Sequence, residues 1–274
     1  FENIKPSIQQ LGQGVILPST DGLIFPFKAV SLRAVNVKII RIFEKNIAQF
    51  FQNNQYNGYS EINRVGNIVF KKSIDLVSKE PIDYSKWNTF SLDLASMIDV
   101  EKGAIYRVVI SFDKGQSLYQ CKDDNENENS IEYKVNDQDL RTFDLPGQYY
   151  SDINYSYSYN YWSEKDNPCK NAYYLNRDNI IATNVLASDL GIIAKNAEGN
   201  SLNAYITDLK TTDPLSGVSV EIFDYQNQLI GTADTDDNGM VEIDITKKPF
   251  LLIAKMGEER GYLKLDDGNS LSLS

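Results

Sequence analysis

The feature that most restricts this chain is a period-two alternation of apolar and polar side chains, recurring in short runs between turn formers. In "SGVSVEIFDYQNQLIGTAD", Val218, Val220 and Ile222 alternate with Ser219, Glu221 and Phe223; in "MVEIDI", Val241, Ile243 and Ile245 alternate with Met240, Glu242 and Asp244. Residues two apart share one face of a strand, so each run covers a core on one side and meets water on the other. Between these runs Asp234, Asp236, Asn238 and Gly239 have the D-x-D-x-N-G spacing that opens a calcium loop. A helical calcium loop needs a bidentate carboxylate at its twelfth position, which is Ile245 here. A turn between strands is therefore the first reading, and a calcium site at Asp234, Asp236 and Asn238 the second.

The same grammar runs from Leu11 to Phe112. Val35, Val37 and Ile39 carry one phase and Val30, Leu32 and Ala34 the other, which predicts a bulge or corner near residue 34. Ile47, Phe50 and Phe51 have the i, i+3, i+4 spacing of a short helix. "NIVFKKSIDL" and "WNTFSLDL" read as strands, and "GAIYRVVISF" puts Ala104, Tyr106, Val108, Ile110 and Phe112 on one face. From Asn179 the strand pattern resumes in "NIIATNVLASDLGIIAK", "SLNAYITDL", "PFLLIAKM" and "RGYLKL". With 274 residues there is room for two cores. The expected fold is all-β: two tandem immunoglobulin- or fibronectin-III-like antiparallel sandwiches with one or two short helices. The expected division is an N-terminal segment 1–12, a sandwich 13–120, a connector 121–178 and a sandwich 179–274.

The connector differs in composition. "CKDDNENENS" is too polar to order itself and reads as a solvated loop. It is followed by "QYYSDINYSYSYNYW", where Tyr155, Tyr157, Tyr159 and Tyr161 alternate strictly and Trp162 follows, after Tyr149 and Tyr150. One tyrosine face could be a platform for sugar rings; the plainer reading is a strap packed between the two sandwiches. Cys121 and Cys169 flank this stretch, either as a disulfide in an oxidising compartment or as buried free thiols.

Several function classes are excluded or disfavoured. There is no histidine, which removes Ser-His-acid and Cys-His mechanisms and the commonest metal ligand. Paired carboxylates can hydrolyse glycosides without histidine, but most of the 38 acidic residues fall in turns or on exposed strand faces. A net charge of −11 opposes binding to phosphate backbones, so nucleic acid is not an expected partner. No apolar run approaches the ~18 residues that cross a bilayer. No catalytic residue and no cofactor is expected. The start at Phe1 and the Leu/Ser alternation at the far end read as an excerpt from a longer polypeptide.

The order of "ATNVLASDLGIIAK", "AYITDLKTTDPLSGVSVEIFDYQNQLIGTADTDDNGMVEIDI" and "PFLLIAKMGEERGYLKLDDG" resembles the N-terminal macroglobulin-like domains of bacterial alpha-2-macroglobulins. "ILPSTDGLIFPFKAVSLRAVNVKIIRIFE" with "GAIYRVVISF" is similar to a preceding domain of that family, and "YWSEKDNPCKNAYY" to the connector of envelope-anchored members. The resemblance implies a non-catalytic scaffold section of a long cell-envelope protease inhibitor, periplasmic or surface-exposed and lipid-anchored. Its partners would be other domains of the same parent and, through the whole protein, target proteases. Covalent capture in the family uses a thioester at Cys-x-Glu-Gln, which neither "CKDD" at Cys121 nor "CKNA" at Cys169 matches. A carbohydrate-binding or adhesive surface module using Tyr155, Tyr157, Tyr159, Tyr161 and Trp162 is the alternative.

Overall fold

The computed structural model describes residues 4–12, 16–17, 22–77, 81–121, 132–152, 161–196 and 200–265. Among them are the strands β1 (Ser7–Gln10), β2 (Ile16–Leu17), β3 (Ile24–Val30), β4 (Ala34–Ile42), β5 (Gly66–Asp75), β6 (Asn88–Asp93), β7 (Ile105–Ser111) and β8 (Ile181–Ala187). Further along are β9 (Leu190–Asn196), β10 (Ser201–Asp208), β11 (Ser219–Phe223), β12 (Leu229–Asp234), β13 (Met240–Asp244), β14 (Leu251–Met256) and β15 (Glu259–Lys264). The α-helices are short: α1 (Ile47–Asn53), α2 (Leu94–Met97), α3 (Asp137–Asp144), α4 (Tyr161–Glu164) and α5 (Asn171–Tyr174).

The strands make two sandwiches. In the first, the sheet β1-β3-β6 faces the five-stranded sheet β2-β8-β7-β4-β5. Phe25, Phe27 and Leu92 from one layer meet Val35, Val37, Ile39, Tyr106, Val108 and Ile110 from the other. In the second, β13-β10-β9 faces β12-β11-β14-β15, and the alternating Val218, Val220, Ile222, Val241 and Ile243 fill its core as their period requires. Neighbouring strands are antiparallel except β2 and β8, which run parallel.

The expected corner lies at residues 31–33. β3 ends at Val30, Ser31 takes a left-handed φ of 54°, and β4 begins at Ala34 in the opposite layer. Phe25, Phe27 and Ala29 of β3 face the core with the same parity as Val35, Val37 and Ile39 of β4, and Leu32, which lies in neither strand, alone carries the other phase into the core, so the corner comes from the turn at Ser31. The expected helix over Ile47, Phe50 and Phe51 is α1, with all three side chains buried. One strand assignment needs correction: Ile181–Ala187, expected to open the second sandwich, pairs with β7 and sends Ile181, Val185 and Ala187 into the first core. Its alternation could not show which sheet would take it.

A third apolar cluster joins the sandwiches. Ile40, Ile42 and Ile105 on the outer face of the five-stranded sheet pack with Ile47, Phe50 and Phe51 of α1 and with Leu251 and Tyr262 of the second sandwich. Around this cluster Arg260 Nε lies 2.7 Å from Glu44 Oε1, Tyr262 Oη donates to Gly103 O at 2.5 Å, and Lys264 Nζ donates to Asn54 O at 3.1 Å. Gly103 has φ +80°, and a Cβ there would lie 2.4 Å from Arg260 Cγ, so the contact needs a residue without a side chain.

Candidate functional site beneath the connector

The outer face of the five-stranded sheet has an apolar part under α1 and a polar part under the connector. Val35, Val37 and Ile39 point into the core, so Asn36 and Lys38 emerge on the other side of β4. In the same way Arg107 emerges from β7 between core-facing Tyr106 and Val108. Register places Lys71 of β5 directly opposite Lys38, and Asn184 of β8 opposite Arg107. Two facing lysines repel, so this surface is stable only under carboxylates.

The connector supplies them. Asp152 grips Arg107 with both oxygens, at 2.9 Å from Nε and 2.6 Å from Nη2, while Nη1 donates to Asn184 Oδ1 at 2.9 Å. The Arg107 guanidinium also lies 4.7 Å from the centre of the Tyr59 ring. Asn184 donates to Tyr56 O and Gly58 O, each at 2.8 Å, and so fixes the loop after α1 to the same network. Tyr150 Oη donates to Asp152 Oδ1 at 2.9 Å. Burial alone would raise the Asp152 carboxyl, but the hydrogen bonds and charge of Arg107, with help from Tyr150 and Lys38, hold it below the ordinary range.

At the other end, Lys71 Nζ lies 2.6 Å from Asp139 Oδ2 in α3 and over the ring of Tyr133. The same Asp139 oxygen accepts from Asn136 N, closing a capping box that starts the helix. Asn63 Nδ2 donates to Thr142 O and Gln148 O, tying the end of α3 down. Lys38 sits between the two ion pairs, 4.7 Å from the centre of the Tyr150 ring. Burial pushes its amine down to about 8, against the pull of the Asp152 carboxylate. A cavity of about 310 Å³ opens here, lined by Lys38, Lys71, Tyr133, Asp139, Tyr150 and Asp152 among others.

The carboxylates of this cavity are engaged. Asp113 accepts from Asn36 Nδ2 at 3.1 Å, Asp139 holds Lys71, and Asp152 holds Arg107. Acid catalysis by a carboxyl needs one kept protonated, and Asp152, the most deeply placed, is shifted the opposite way.

The residues singled out in the sequence are scattered over the molecule. Asp236 Oδ1 accepts from the backbone N–H groups of Asn238 and Met240, both at 2.9 Å, forming a local turn. Asp234 ends β12 opposite Ser219. Gly239 has φ +69°, and a Cβ there would lie 2.5 Å from Ile206 O, so its glycine serves close approach to β10. Cys121 and Cys169 form a disulfide, which decides between the two readings of the pair. Tyr150 is buried, whereas Tyr149 is 76% and Trp162 81% exposed. Tyr161 and Trp162 stack edge-on in α4, with ring centres 5.5 Å apart. Tyr155, Tyr157 and Tyr159, and the acidic run before residue 132, lie outside the described residues.

No motif in the sequence singles out Arg107, Lys38, Asp139 or Asp152. The signal for Arg107 was present: in "IYRVVIS" both phases are otherwise apolar, and a lone arginine on a two-sided buried strand needs a counter-ion. Nothing in the sequence selected Asp152 from among the acids of the connector.

Residues 187–274 match the family model of the bacterial alpha-2-macroglobulin MG3 domain. No curated protein matches the chain. Among solved structures, native alpha-2-macroglobulin from Escherichia coli spanning domains NIE-MG1 is similar over 97% of this chain and 99% of that one, at 17% identity and TM-score 0.54. Trypsin-activated alpha-2-macroglobulin from Escherichia coli is similar over 95% of this chain but 14% of its own, at 18% identity and TM-score 0.57. The native Escherichia coli protein seen by cryo-electron microscopy gives 17% identity and TM-score 0.51, with 13% of that chain covered. Residues 187–274 thus match a macroglobulin domain of the bacterial alpha-2-macroglobulins, and the chain as a whole shares the fold of a part of those proteins.

Proposed function

We propose that this chain is a non-catalytic scaffold section of a bacterial alpha-2-macroglobulin-like protease inhibitor of the cell envelope. The match of residues 187–274 to the MG3 domain carries the reading. The physical support is that the sandwiches are fixed to one another by a shared apolar cluster and the Glu44–Arg260 ion pair, as a strut requires. The described part of the connector around Asp139 and Asp152 is held as well, by the Arg107–Asp152 and Lys71–Asp139 pairs. The Cys121–Cys169 disulfide supports an oxidising, extracytoplasmic location. Other domains of a longer parent chain are the direct partners, and proteases are met through that parent.

Protease trapping has a distinctive readout. A caged protease still reaches small peptides but not large proteins. The longer protein carrying these sandwiches, mixed with trypsin, is expected to protect a large protein substrate while a small peptide substrate is still cleaved; the isolated chain protects neither. Equal cleavage of both substrates in the presence of the longer protein overturns the proposal.

A further inference from the structure

Every other cation of the polar network has a carboxylate, but Lys38 does not. Lys71 is matched to Asp139 and Arg107 to Asp152. Among the described residues Lys38 has no carboxylate within ion-pair distance, and its amine lies over the face of the Tyr150 ring, 4.7 Å from the centre. It is 7% exposed, and it borders the cavity of about 310 Å³. That volume holds a molecule of roughly a dozen heavy atoms beside the amine.

We propose that Lys38 is a reactive-amine site of this chain, taking small uncharged aldehydes in the cavity beneath Tyr150 and holding them as an imine. An amine attacks only when neutral, and here burial favours the neutral form by more than the Asp152 carboxylate opposes it. With the amine pushed down to about 8, roughly a quarter of Lys38 is neutral at pH 7.5, against about 0.1% for a lysine at the ordinary value. The groups facing it are Asp152, Asp139 and Asp113 with Tyr150 and Tyr133 on the connector and β7 sides, and Lys71 and Arg107 on the flanking strands. Asp139 and Asp152 already neutralise Lys71 and Arg107, so no second cation is free to hold an anionic reagent such as an acyl phosphate, which leaves neutral carbonyl compounds as the fitting class. The step balances without a further reactant. The Lys38 nitrogen bonds to the carbonyl carbon, the carbon–oxygen bond breaks, and the oxygen leaves as water with the two amine protons.

The test uses the intact chain with acetaldehyde as the probe and cyanoborohydride to fix the imine as a secondary amine, read by peptide mass spectrometry from pH 6 to 10. Lys38 is expected to label at least tenfold faster than exposed Lys72 at pH 7.5, with a rate profile levelling near pH 8. An aldehyde carried on a dextran polymer, too large for the cavity, is expected to reverse the order, since it reaches only exposed lysines such as Lys72. Labelling of Lys38 at or below the rate of Lys72 with acetaldehyde, or a profile that climbs through pH 10 like that of Lys72, overturns the proposal. Neither result bears on protease trapping, which is read on the longer protein.

Discussion

Replacing Asp152 by asparagine keeps the shape of the side chain and removes the charge that holds Arg107. The side chains of the pair are 2% and 10% exposed, so the guanidinium left behind cannot regain water without opening the connector. Breaking a buried pair by removing one partner costs about 3–5 kcal/mol. Asparagine retains one oxygen able to accept from Arg107, and Asn184 and the Tyr59 ring still hold the guanidinium, which places the expected loss at the lower end, about 3 kcal/mol. Urea unfolding followed by circular dichroism at pH 7 measures it, with the m-value checked for change. The double variant Arg107→Met with Asp152→Leu is expected to lie closer to wild type than Asp152→Asn, because it leaves no buried charge. A loss below about 1 kcal/mol for Asp152→Asn, or a double variant that simply sums its two single losses, refutes the idea that the connector is clamped by this pair. The pH dependence has a definite sign. The Asp152 carboxyl is held below its ordinary value in the folded chain, so its contribution is complete above the unfolded carboxylate range and is lost as pH falls through the folded value. Acid unfolding of wild type is therefore expected to be steeper below pH 4 than that of Asp152→Asn.

Gly103→Ala puts a Cβ 2.4 Å from Arg260 Cγ at a left-handed φ, and is expected to cost about 1–3 kcal/mol in thermal unfolding and to expose Phe51 and Tyr262 to solvent quenching. Removing the disulfide with Cys121→Ser and Cys169→Ser opens a 48-residue loop, for which the chain-entropy model gives about 4 kcal/mol; denaturant titration of the oxidised protein against the double variant measures it. Asp236 spends an oxygen on two backbone N–H groups, so a chelator is expected to leave the melting temperature unchanged, and a fall of several degrees would restore calcium at this turn. Trp162→Ala, at a position 81% exposed, is expected to change stability by less than about 0.5 kcal/mol and to leave a glycan-array profile flat, whereas glycan binding lost on substitution would favour the carbohydrate reading.

What the residues alone determined is local. Alternation in "SVEIFD" and "MVEIDI" fixed strands with one apolar face because the side-chain period of a strand is two, and that period needs no knowledge of the partner. The break in alternation at Leu32 marked the corner between β3 and β4, and the spacing of Ile47, Phe50 and Phe51 marked a helix, for the same reason. Tertiary structure decided the rest. It assigned Ile181–Ala187 to the first sheet, since a strand apolar on both faces fits either neighbour and only the available edge beside β7 selects one. It also chose Asp152 and Asp139 as the partners of Arg107 and Lys71, across 45 and 68 residues of sequence. Charge pairing over such separations leaves no periodic trace, because the attraction depends on distance in space after folding and not on position along the chain.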